Sequence, residues 1–179
     1  MTQPTTILVT ERLLLRPLVL DDLDALYTLY RDPEIRRYFP EGTLTYNETR
    51  EELEWIINVY YAQYGFGLWA TIHKPSGEFI GRCGLLPWQI EGRAEVEVAY
   101  LLSKDYWGQG LGTEAARGIA AYAFEELGLT RLICLIDPGN IASQRVAQNI
   151  GMTLEQDTLL DGERTFIYAM SKQMPFKMS

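Results

Sequence analysis

The residues best placed to do chemistry form one glycine-rich segment, Ser103-Lys-Asp-Tyr-Trp107-Gly-Gln-Gly-Leu-Gly-Thr113, directly before a long helical pattern. Glycines at positions 108, 110 and 112 let the backbone come close to a ligand. The first turn of the following helix has unpaired amides, and its dipole favours an anion at that end. This combination is typical of a site that binds a diphosphate through backbone N–H groups. A turn whose glycines only relieve crowding is the simpler interpretation, but the long helix directly behind them favours a binding loop.

Two other phosphate-binding loops have to be compared with this segment. A Walker loop is excluded, because no Gly-Lys-Ser/Thr follows the glycines. A dinucleotide site agrees better, since Gly108-x-Gly110 opens a helix and Asp137 ends the next strand, where a ribose-binding acid would lie. Against it, Thr113 stands at the third glycine position, the loop starts several residues after its strand, and the remaining chain is rich in β-structure. A dinucleotide-binding oxidoreductase is therefore the second interpretation.

The elements that must position this loop follow from hydrophobic periodicity and turn residues. Helical spacing predicts helices over residues 21–30, 46–64, 111–127 and 141–149, the first capped by Asp21. Alternating or wholly apolar runs predict strands over residues 7–15, 67–73, 78–86, 94–102, 131–136, 153–160 and 164–170. The order β-α-α-β-β-β-α-β-α-β-β is typical of an α+β domain with a mixed sheet rather than of an alternating doubly wound fold.

The composition restricts the class of protein. The chain of 179 residues is 47% hydrophobic and 22% charged, which is ordinary for a globular protein, and we expect one domain over residues 1–179. Its net charge of −8 and the lack of a Lys/Arg cluster argue against a nucleic-acid partner. No apolar run approaches the roughly 20 residues that span a bilayer, and the first six residues lack the basic and apolar blocks of a signal peptide. We therefore expect a cytoplasmic protein without a membrane partner.

Cysteine and histidine are too few and too scattered for a metal site. Cys83 and Cys134 each lie in an apolar, strand-like run, so we expect two reduced thiols in the core. His73 is the single histidine of the chain. We predict no bound metal.

A resemblance to a known family adds to this interpretation. The segment Tyr106-Trp-Gly-Gln-Gly-Leu-Gly-Thr-Glu-Ala115 resembles the cofactor loop of the GNAT superfamily of N-acetyltransferases, in particular the branch that contains the N-terminal acetyltransferases of ribosomal proteins. Several motifs in the right order are more specific than the loop alone. The further matching motifs are Thr10-Glu-Arg-Leu-Leu-Leu-Arg-Pro17, Arg31-Asp-Pro-Glu34, Glu97-Val-Ala-Tyr100, Asn140-Ile-Ala-Ser143 and Asn149-Ile-Gly-Met152.

The resemblance implies the acyl-CoA N-acyltransferase fold, in which a mixed sheet splays open at its centre, here between the strands that end at Leu102 and Ile136. Acetyl-CoA would be the cosubstrate, with its pantetheine arm in that gap. The resemblance assigns cofactor binding to the backbone of Tyr100, Leu101 and Leu102, to the loop residues Gly108, Gln109, Gly110, Leu111, Gly112 and Thr113, and to Asn140 near the thioester. Trp107 replaces the Arg or Gln that usually opens the loop, and we expect little effect because amides do the binding.

Acetyl transfer to an amine needs a base that removes the proton of the amine and a donor for the oxyanion that develops on the thioester. The resemblance makes Glu97 the first candidate for the base, acting directly or through water. Glu95 lies on the same strand face and is a rival, although we expect it to be a solvated residue. The backbone N–H of Leu101 or Leu102 would bind the oxyanion.

The leaving CoA thiolate needs an acid. Many relatives use a tyrosine of the fourth helix, but Ala147 stands at that position here. Ser143, four residues earlier on the same helical face, is the best substitute. A serine that only bonds to the backbone at the helix start is an equal alternative.

The acceptor pocket is expected between the first two helices and the loop that joins them. Its walls could come from the aromatic residues Phe39, Trp55, Tyr60 and Trp88. Arginines at positions 31, 36 and 37 could bind an anionic acceptor, but we expect them to form a solvated helix end. The acceptor stays open between a protein N-terminus and a small-molecule amine, and the protein between a monomer and a homodimer. A non-catalytic acyl-CoA-binding module, suggested by the missing tyrosine, is the remaining alternative.

Overall fold

The computed structural model describes residues 5–172, so most of the segment examined for a signal peptide lies outside the described residues. The elements in chain order are β1 (Leu8–Val9), β2 (Leu13–Pro17), α1 (Leu23–Tyr30), α2 (Tyr46–Trp55), a π-helical turn (Ile56–Tyr60), α3 (Tyr61–Tyr64), β3 (Leu68–His73), β4 (Glu78–Ile90), β5 (Arg93–Leu102), α4 (Leu111–Glu125), β6 (Arg131–Ile136), α5 (Ile141–Asn149), β7 (Thr153–Leu160) and β8 (Glu163–Ser171). None of the described helices is long and apolar enough to cross a membrane.

The strands form one sheet in the order β1-β2-β3-β4-β5-β6-β8-β7, in which only β5 and β6 are parallel neighbours. Strand β4 pairs with β5 without interruption from Gly81↔Leu102 to Ile90↔Arg93. By contrast, β5 and β6 share a single registered pair, Glu97↔Ile133. Beyond Glu97 the two strands separate, and one edge of β5 is left without a strand partner. The predicted mixed α+β fold with a centrally splayed sheet is therefore confirmed.

Helices cover both faces of the sheet. Helix α4 packs on one face through Ala115, Ile119 and Ala123, all fully buried and repeating every four residues as an amphipathic helix requires. Helices α1 and α2 pack on the other face, where Leu26 and Leu53 are fully buried. The gap between β5 and β6 thus opens between two separately packed cores.

The first predicted strand, over residues 7–15, is wrong. The chain turns at residues 10–12, and β1 pairs antiparallel with β2, with Leu8 opposite Leu15. The turn is held by Glu114 of α4, whose carboxylate accepts hydrogen bonds from the Thr10 hydroxyl at 2.6 Å and the Arg12 amide at 2.7 Å. Since the partner lies about a hundred positions later in the chain, local periodicity could not reveal the break.

Two smaller predictions also differ. The carboxylate at the start of α1 is Asp22, which accepts from the Val19 amide at 2.9 Å and pairs with Arg16 at 2.7 Å, whereas Asp21 is exposed. Strand β4 continues past its predicted end through Pro87, because its neighbour β5 is long enough to pair with it up to the turn. Neither difference displaces the residues of the candidate site.

Candidate active site

The glycine-rich loop places unpaired amides at the N-terminus of α4. Gly108 and Gly110 have φ angles of 73° and 78°, in the left-handed region that favours glycine. Among the residues that the structure describes, the amides of residues 110–113 donate to no protein group. Gly110 is the residue before the helix, so these amides belong to its first turn and its positive dipole end. The loop is therefore suited to bind a diphosphate through its backbone, as predicted.

Arg12 lies beside this loop, and the sequence analysis gave it no role. Its Nε donates to Glu114 at 2.7 Å and its Nη1 to the carbonyl oxygen of Gln109 at 2.9 Å. The side chain is 38% exposed, so the guanidinium is held in place while part of it faces solvent. The Glu114 carboxylate offsets the charge of Arg12, so Arg12 serves chiefly to hold the loop in place through its bond to Gln109. The single signal in the sequence was that Arg12 belongs to the N-terminal family motif.

The open edge of β5 presents the backbone of alternate residues to the gap. The Ser103 amide donates to Ile80 of the β4 side at 2.7 Å. Because the residues of an antiparallel pair alternate in the edge that they address, the Leu101 backbone faces β4, whereas those of Tyr100 and Leu102 face the gap. Three residues were predicted to pair with pantetheine. Two of them, Tyr100 and Leu102, present their backbone groups to the gap, whereas Leu101 does not.

Two side chains occupy part of this edge. The indole nitrogen of Trp107 donates to the Leu102 carbonyl at 2.9 Å, and the Cys134 thiol donates to the Val98 carbonyl at 3.2 Å. Trp107 thus joins the binding loop to the end of β5. The amide of Leu102 remains without a protein partner in the part of the chain that the structure describes.

The start of α5 lies across the gap and is tied to β5 by Tyr100. The Tyr100 hydroxyl donates to the Ser143 carbonyl at 3.0 Å, and burial raises the pKa of this phenol. The side-chain oxygen of Asn140 accepts from the Ser143 amide at 3.1 Å and so caps the helix. The Ser143 hydroxyl has no hydrogen-bond partner within residues 5–172. The alternative of a serine that bonds to the helix backbone is thus not observed, and the hydroxyl is free to meet a ligand.

Ala147 occupies the position one turn further along α5. It is fully buried and belongs to the core under α4. No acid can act from this position, in agreement with the sequence analysis.

Glu97 lies where the gap begins, in the single pair that joins β5 to β6. Its Oε2 accepts from the Trp88 indole at 2.7 Å, and its Oε1 faces the Leu135 amide at 3.4 Å. Burial raises the pKa of Glu97 to about 7, although both donors and the more distant Arg82 guanidinium oppose that shift. The carboxyl group therefore holds its proton to a higher pH than an ordinary glutamate does.

Glu95 does not share this environment, and the expectation of a solvated side chain is wrong. It is 8% exposed and binds the Arg131 guanidinium at 3.0 and 3.1 Å. This ion pair joins β5 to β6 below Glu97 and gives Glu95 a structural role. Because its carboxylate is engaged by Arg131, Glu95 is less suited than Glu97 to accept a proton from an amine.

The predicted acceptor walls are only partly brought together. Phe39 and Tyr60 are half-buried against the core of α1 and α2, whereas Trp55 is 55% exposed. Trp88 lies beside the predicted base, because its indole nitrogen donates to Glu97. Among the three arginines expected at a solvated helix end, Arg31 and Arg37 are exposed, but Arg36 is buried.

Known proteins resemble this chain in sequence and in fold. A family model described as an acetyltransferase (GNAT) domain matches residues 12–153. The chain is 40% identical over 148 residues to YkkB, an uncharacterised protein of Bacillus subtilis, with 82% of this chain and 85% of the relative covered. It is 34% identical over 158 residues to the FsC-acetyl coenzyme A-N(2)-transacetylase of Aspergillus fumigatus, with 84% and 66% covered. The crystal structure of an acetyltransferase from Agrobacterium tumefaciens matches with a TM-score of 0.80 and 28% identity, covering 96% of this chain and 97% of that one. Since the matched segment runs through the binding loop, both strands of the gap and α5, the chain belongs to the GNAT family of acetyltransferases, whose cosubstrate is acetyl-CoA.

Proposed function

We propose that this protein transfers the acetyl group of acetyl-CoA directly to a primary amine, within one N-acetyltransferase domain. The observation that carries the proposal is that two surfaces suited to parts of one extended ligand meet at the end of β5. The amides of residues 110–113 suit a diphosphate, and the edge of β5 that carries the Tyr100 backbone and the Leu102 amide suits the amide-rich pantetheine arm. Because β5 leads directly into the loop, one CoA molecule can occupy both.

In the proposed reaction Glu97 accepts the proton that the amine must lose before it attacks. A carboxylate with a pKa of about 7 holds a proton more readily than an ordinary glutamate and is still largely ionised slightly above neutral pH. Its position at the opening of the gap, on the sheet face covered by α1 and α2, lets an amine reach both the carboxylate and a thioester in the gap. The proton transfer is direct or passes through one water molecule.

The acyl step is proposed to use the backbone of β5 and the hydroxyl of Ser143. The amide of Leu102 faces the gap and is suited to donate to the thioester oxygen as negative charge develops there. As the new C–N bond forms and the C–S bond breaks, the Ser143 hydroxyl donates a proton or a hydrogen bond to the CoA sulfur. Asn140 and Tyr100 hold the backbone on either side of Ser143, so its hydroxyl is kept in position. The products are an N-acetylated amine and free CoA.

The acceptor is proposed to be a small-molecule amine or a protein N-terminus that enters from the face of α1 and α2. A cytoplasmic location remains part of the proposal, supported by Cys83 and Cys134, which lie in the core as free thiols.

Thermal melts with acetyl-CoA, CoA, NADH and buffer, followed by an assay of CoA thiol release with amines, test the proposed function. A ligand at a hundred times its dissociation constant adds about 2.7 kcal/mol, which corresponds to roughly 5–10 °C for a chain of this length. We expect a shift with both CoA species, none with NADH, and thiol release that depends on an amine. A shift with NADH alone would contradict the proposal, and CoA binding without any thiol release would support the non-catalytic acyl-CoA-binding module.

A further inference from the structure

Two buried arginines lie side by side on the face of the sheet covered by α1 and α2. Arg82 of β4 is 4% exposed and Arg36, between α1 and α2, is 3% exposed. Their guanidinium carbons lie over the same two rings, at 5.6 and 4.9 Å from the centre of Tyr30 and at 5.5 and 4.2 Å from the centre of Phe39. Burial of two like charges at one place is costly unless anions or hydrogen-bond acceptors compensate for it.

The protein supplies few acceptors for these two groups. Arg82 donates through Nε to the Tyr30 hydroxyl at 2.9 Å, and that hydroxyl donates to Glu52 at 2.6 Å. Arg36 donates through Nε to the Gly42 carbonyl at 2.7 Å, and its Nη2 lies 3.5 Å from the Glu41 carboxylate, which is 66% exposed. The carboxylates closest to the two guanidinium groups are the half-buried Glu52, reached through a tyrosine, and the exposed Glu41. Most of the guanidinium N–H groups have no acceptor within residues 5–172.

The outer end of Arg82 is free for a ligand. A guanidinium has five N–H donors, and Arg82 uses only the one on Nε for a group within residues 5–172. Its Nη1 and Nη2 are not sealed in the core either, since Thr71 Oγ1 is the one fully enclosed side-chain polar atom without a partner in the described part of the chain. These nitrogens therefore keep a small contact with solvent and have no acceptor within residues 5–172.

Arg82 is on the same side of the sheet as Glu97. In the uninterrupted register of β4 and β5, Arg82 is opposite Leu101 and Leu86 is opposite Glu97. Positions four apart on a strand share a face and lie about 13 Å apart along it. The residue between them on β5 is the small Ala99, which leaves the space between the two side chains less filled than a larger residue would. The positive charge of Arg82 also lowers the pKa of Glu97, which agrees with their proximity.

We propose that the acceptor carries an anionic group, a carboxylate or a phosphate, a few bonds from its amine, and that Arg82 binds this group with Arg36 as the second cation. The proposal rests on the proposed acetyl transfer at Glu97 and determines its specificity. A planar guanidinium with two free nitrogens matches the geometry of a carboxylate or phosphate. An anion at this point also relieves the repulsion between the two arginines. With its anionic group on Arg82 the acceptor presents its amine to Glu97.

Paired acceptors test the proposal. Amino acids are compared with their carboxamides, and phosphoethanolamine with ethanolamine, by the rate of CoA thiol release and, for protein loaded with CoA, by calorimetry. We expect kcat/KM to be at least about tenfold higher for the anionic member of a pair that is turned over, with most of the difference in KM. A preference for the amino acids would identify the anionic group as a carboxylate, and a preference for phosphoethanolamine would identify it as a phosphate. Equal use of both members, neutral acceptors only, or no binding of any anionic member would overturn the proposal.

Matched variants show whether the arginines cause the preference. Arg82→Gln is expected to remove it and to leave the KM for acetyl-CoA unchanged, whereas Arg37→Gln, with the same loss of charge at an exposed neighbouring position, should keep it. If Arg82→Gln does not fold, Arg82→Lys is used, because lysine keeps the positive charge but lacks the paired nitrogens of a guanidinium. This variant should still prefer anionic acceptors, with a higher KM for them. A preference that survives Arg82→Gln would contradict the proposal. If amines are acetylated without regard to their charge, this inference fails while the acetyltransferase function stands; if neither acetyl-CoA nor CoA binds, the function itself fails.

Discussion

The indole nitrogen of Trp88 lies 2.7 Å from Oε2 of Glu97, so the indole holds the carboxylate at the opening of the gap between β5 and β6. The sequence suggested Trp88 only as a wall of the acceptor pocket. Burial favours the neutral form of Glu97, whereas the indole donor favours the ionised form. The pKa of Glu97, and with it the pH at which Glu97 can act as a base, is therefore set by two opposing effects, burial and the indole donor. Different substitutions can change one of these effects and leave the other in place.

Replacement of Trp88 by Phe is expected to raise the pKa of Glu97, because burial remains while a donor to the carboxylate is lost. A base is active when ionised, so kcat/KM should rise with pH through about 7 in the wild type. In Trp88→Phe the rising limb should move about one to two pH units higher, since a hydrogen bond to a charged group contributes about 1.5–3 kcal/mol. A pH–rate profile from pH 5 to 9 measures this. An unmoved limb would show that the titrating group is not Glu97.

Replacement of Glu97 by Gln is expected to stabilise the folded protein at high pH while lowering kcat. The folded pKa of about 7 lies above the ordinary value of 4.5, so folding favours the protonated form and ionisation reduces stability as the pH rises from about 4.5 through 7. Above pH 7 the free energy of unfolding should be higher in the variant than in the wild type, by on the order of 1–3 kcal/mol. Urea unfolding at pH 4.5 and pH 8 measures the difference, which should vanish at the lower pH.

Glu95→Gln is the matched control and should behave in the opposite way. Its carboxylate is buried against Arg131, and in the variant this half-buried guanidinium keeps only Glu155, at 2.8 Å, as a charged partner. We expect a loss of about 1–3 kcal/mol in the free energy of unfolding and an unchanged pH–rate profile. If the profile changed for Glu95→Gln and not for Glu97→Gln, the roles assigned to the two glutamates would be reversed.

Gly110→Ala should weaken acetyl-CoA binding as well as stability. Gly110 has a φ of 78° and begins α4, so alanine there is strained and disturbs the amides of the first turn. Gly128→Ala is the matched control. Gly128 has nearly the same φ, 69°, but lies beyond the other end of α4. Both variants should lose about 1–2 kcal/mol of stability, whereas only Gly110→Ala should raise the dissociation constant of acetyl-CoA, by about tenfold. Calorimetric titration of both variants separates strain from binding.

Ser143→Ala should lower kcat and leave the affinity for acetyl-CoA nearly unchanged. The Ser143 amide and carbonyl make the contacts that hold the start of α5, and both remain in the variant. Only the hydroxyl is lost, so we expect a decrease in kcat of about 10²-fold, within the usual range for a general acid. Single-turnover measurement with saturating acetyl-CoA detects it. A wild-type rate would remove Ser143 from the mechanism.

The part of the site that could be predicted from the sequence is the part that the local chain builds. The loop from Gly108 to Thr113 and the strand from Glu97 to Leu102 are each continuous segments whose residue types report their own conformation. The splay between β5 and β6 followed from the family resemblance and not from periodicity. Local patterns and motif order were therefore sufficient for the fold apart from the first hairpin, whereas the cofactor-binding role of the loop stays a prediction.

The parts that could not be predicted depend on contacts between distant segments. Arg36 follows the first helix in a charged segment, which is why the sequence predicts a solvated side chain. Its burial instead follows from the rings of Tyr30 and Phe39, which the fold places against its guanidinium group. The burial of Glu95 likewise depends on Arg131 of the next strand, 36 positions away. A charged residue carries no local sign of whether a partner will be folded against it.

The contacts of Arg12 with Glu114 and Gln109 join positions 102 and 97 residues apart. Closing a loop of that length costs chain entropy, which the ion pair and the pairing of β1 with β2 help to offset. A protease cut between β2 and α1 that released the first hairpin would separate Arg12 from Glu114 and from the Gln109 carbonyl while leaving the glycines of the loop in place. The shape of the loop that faces acetyl-CoA thus depends on a segment that is far from it in the chain, and its integrity reports whether the two ends of that long connection are still joined.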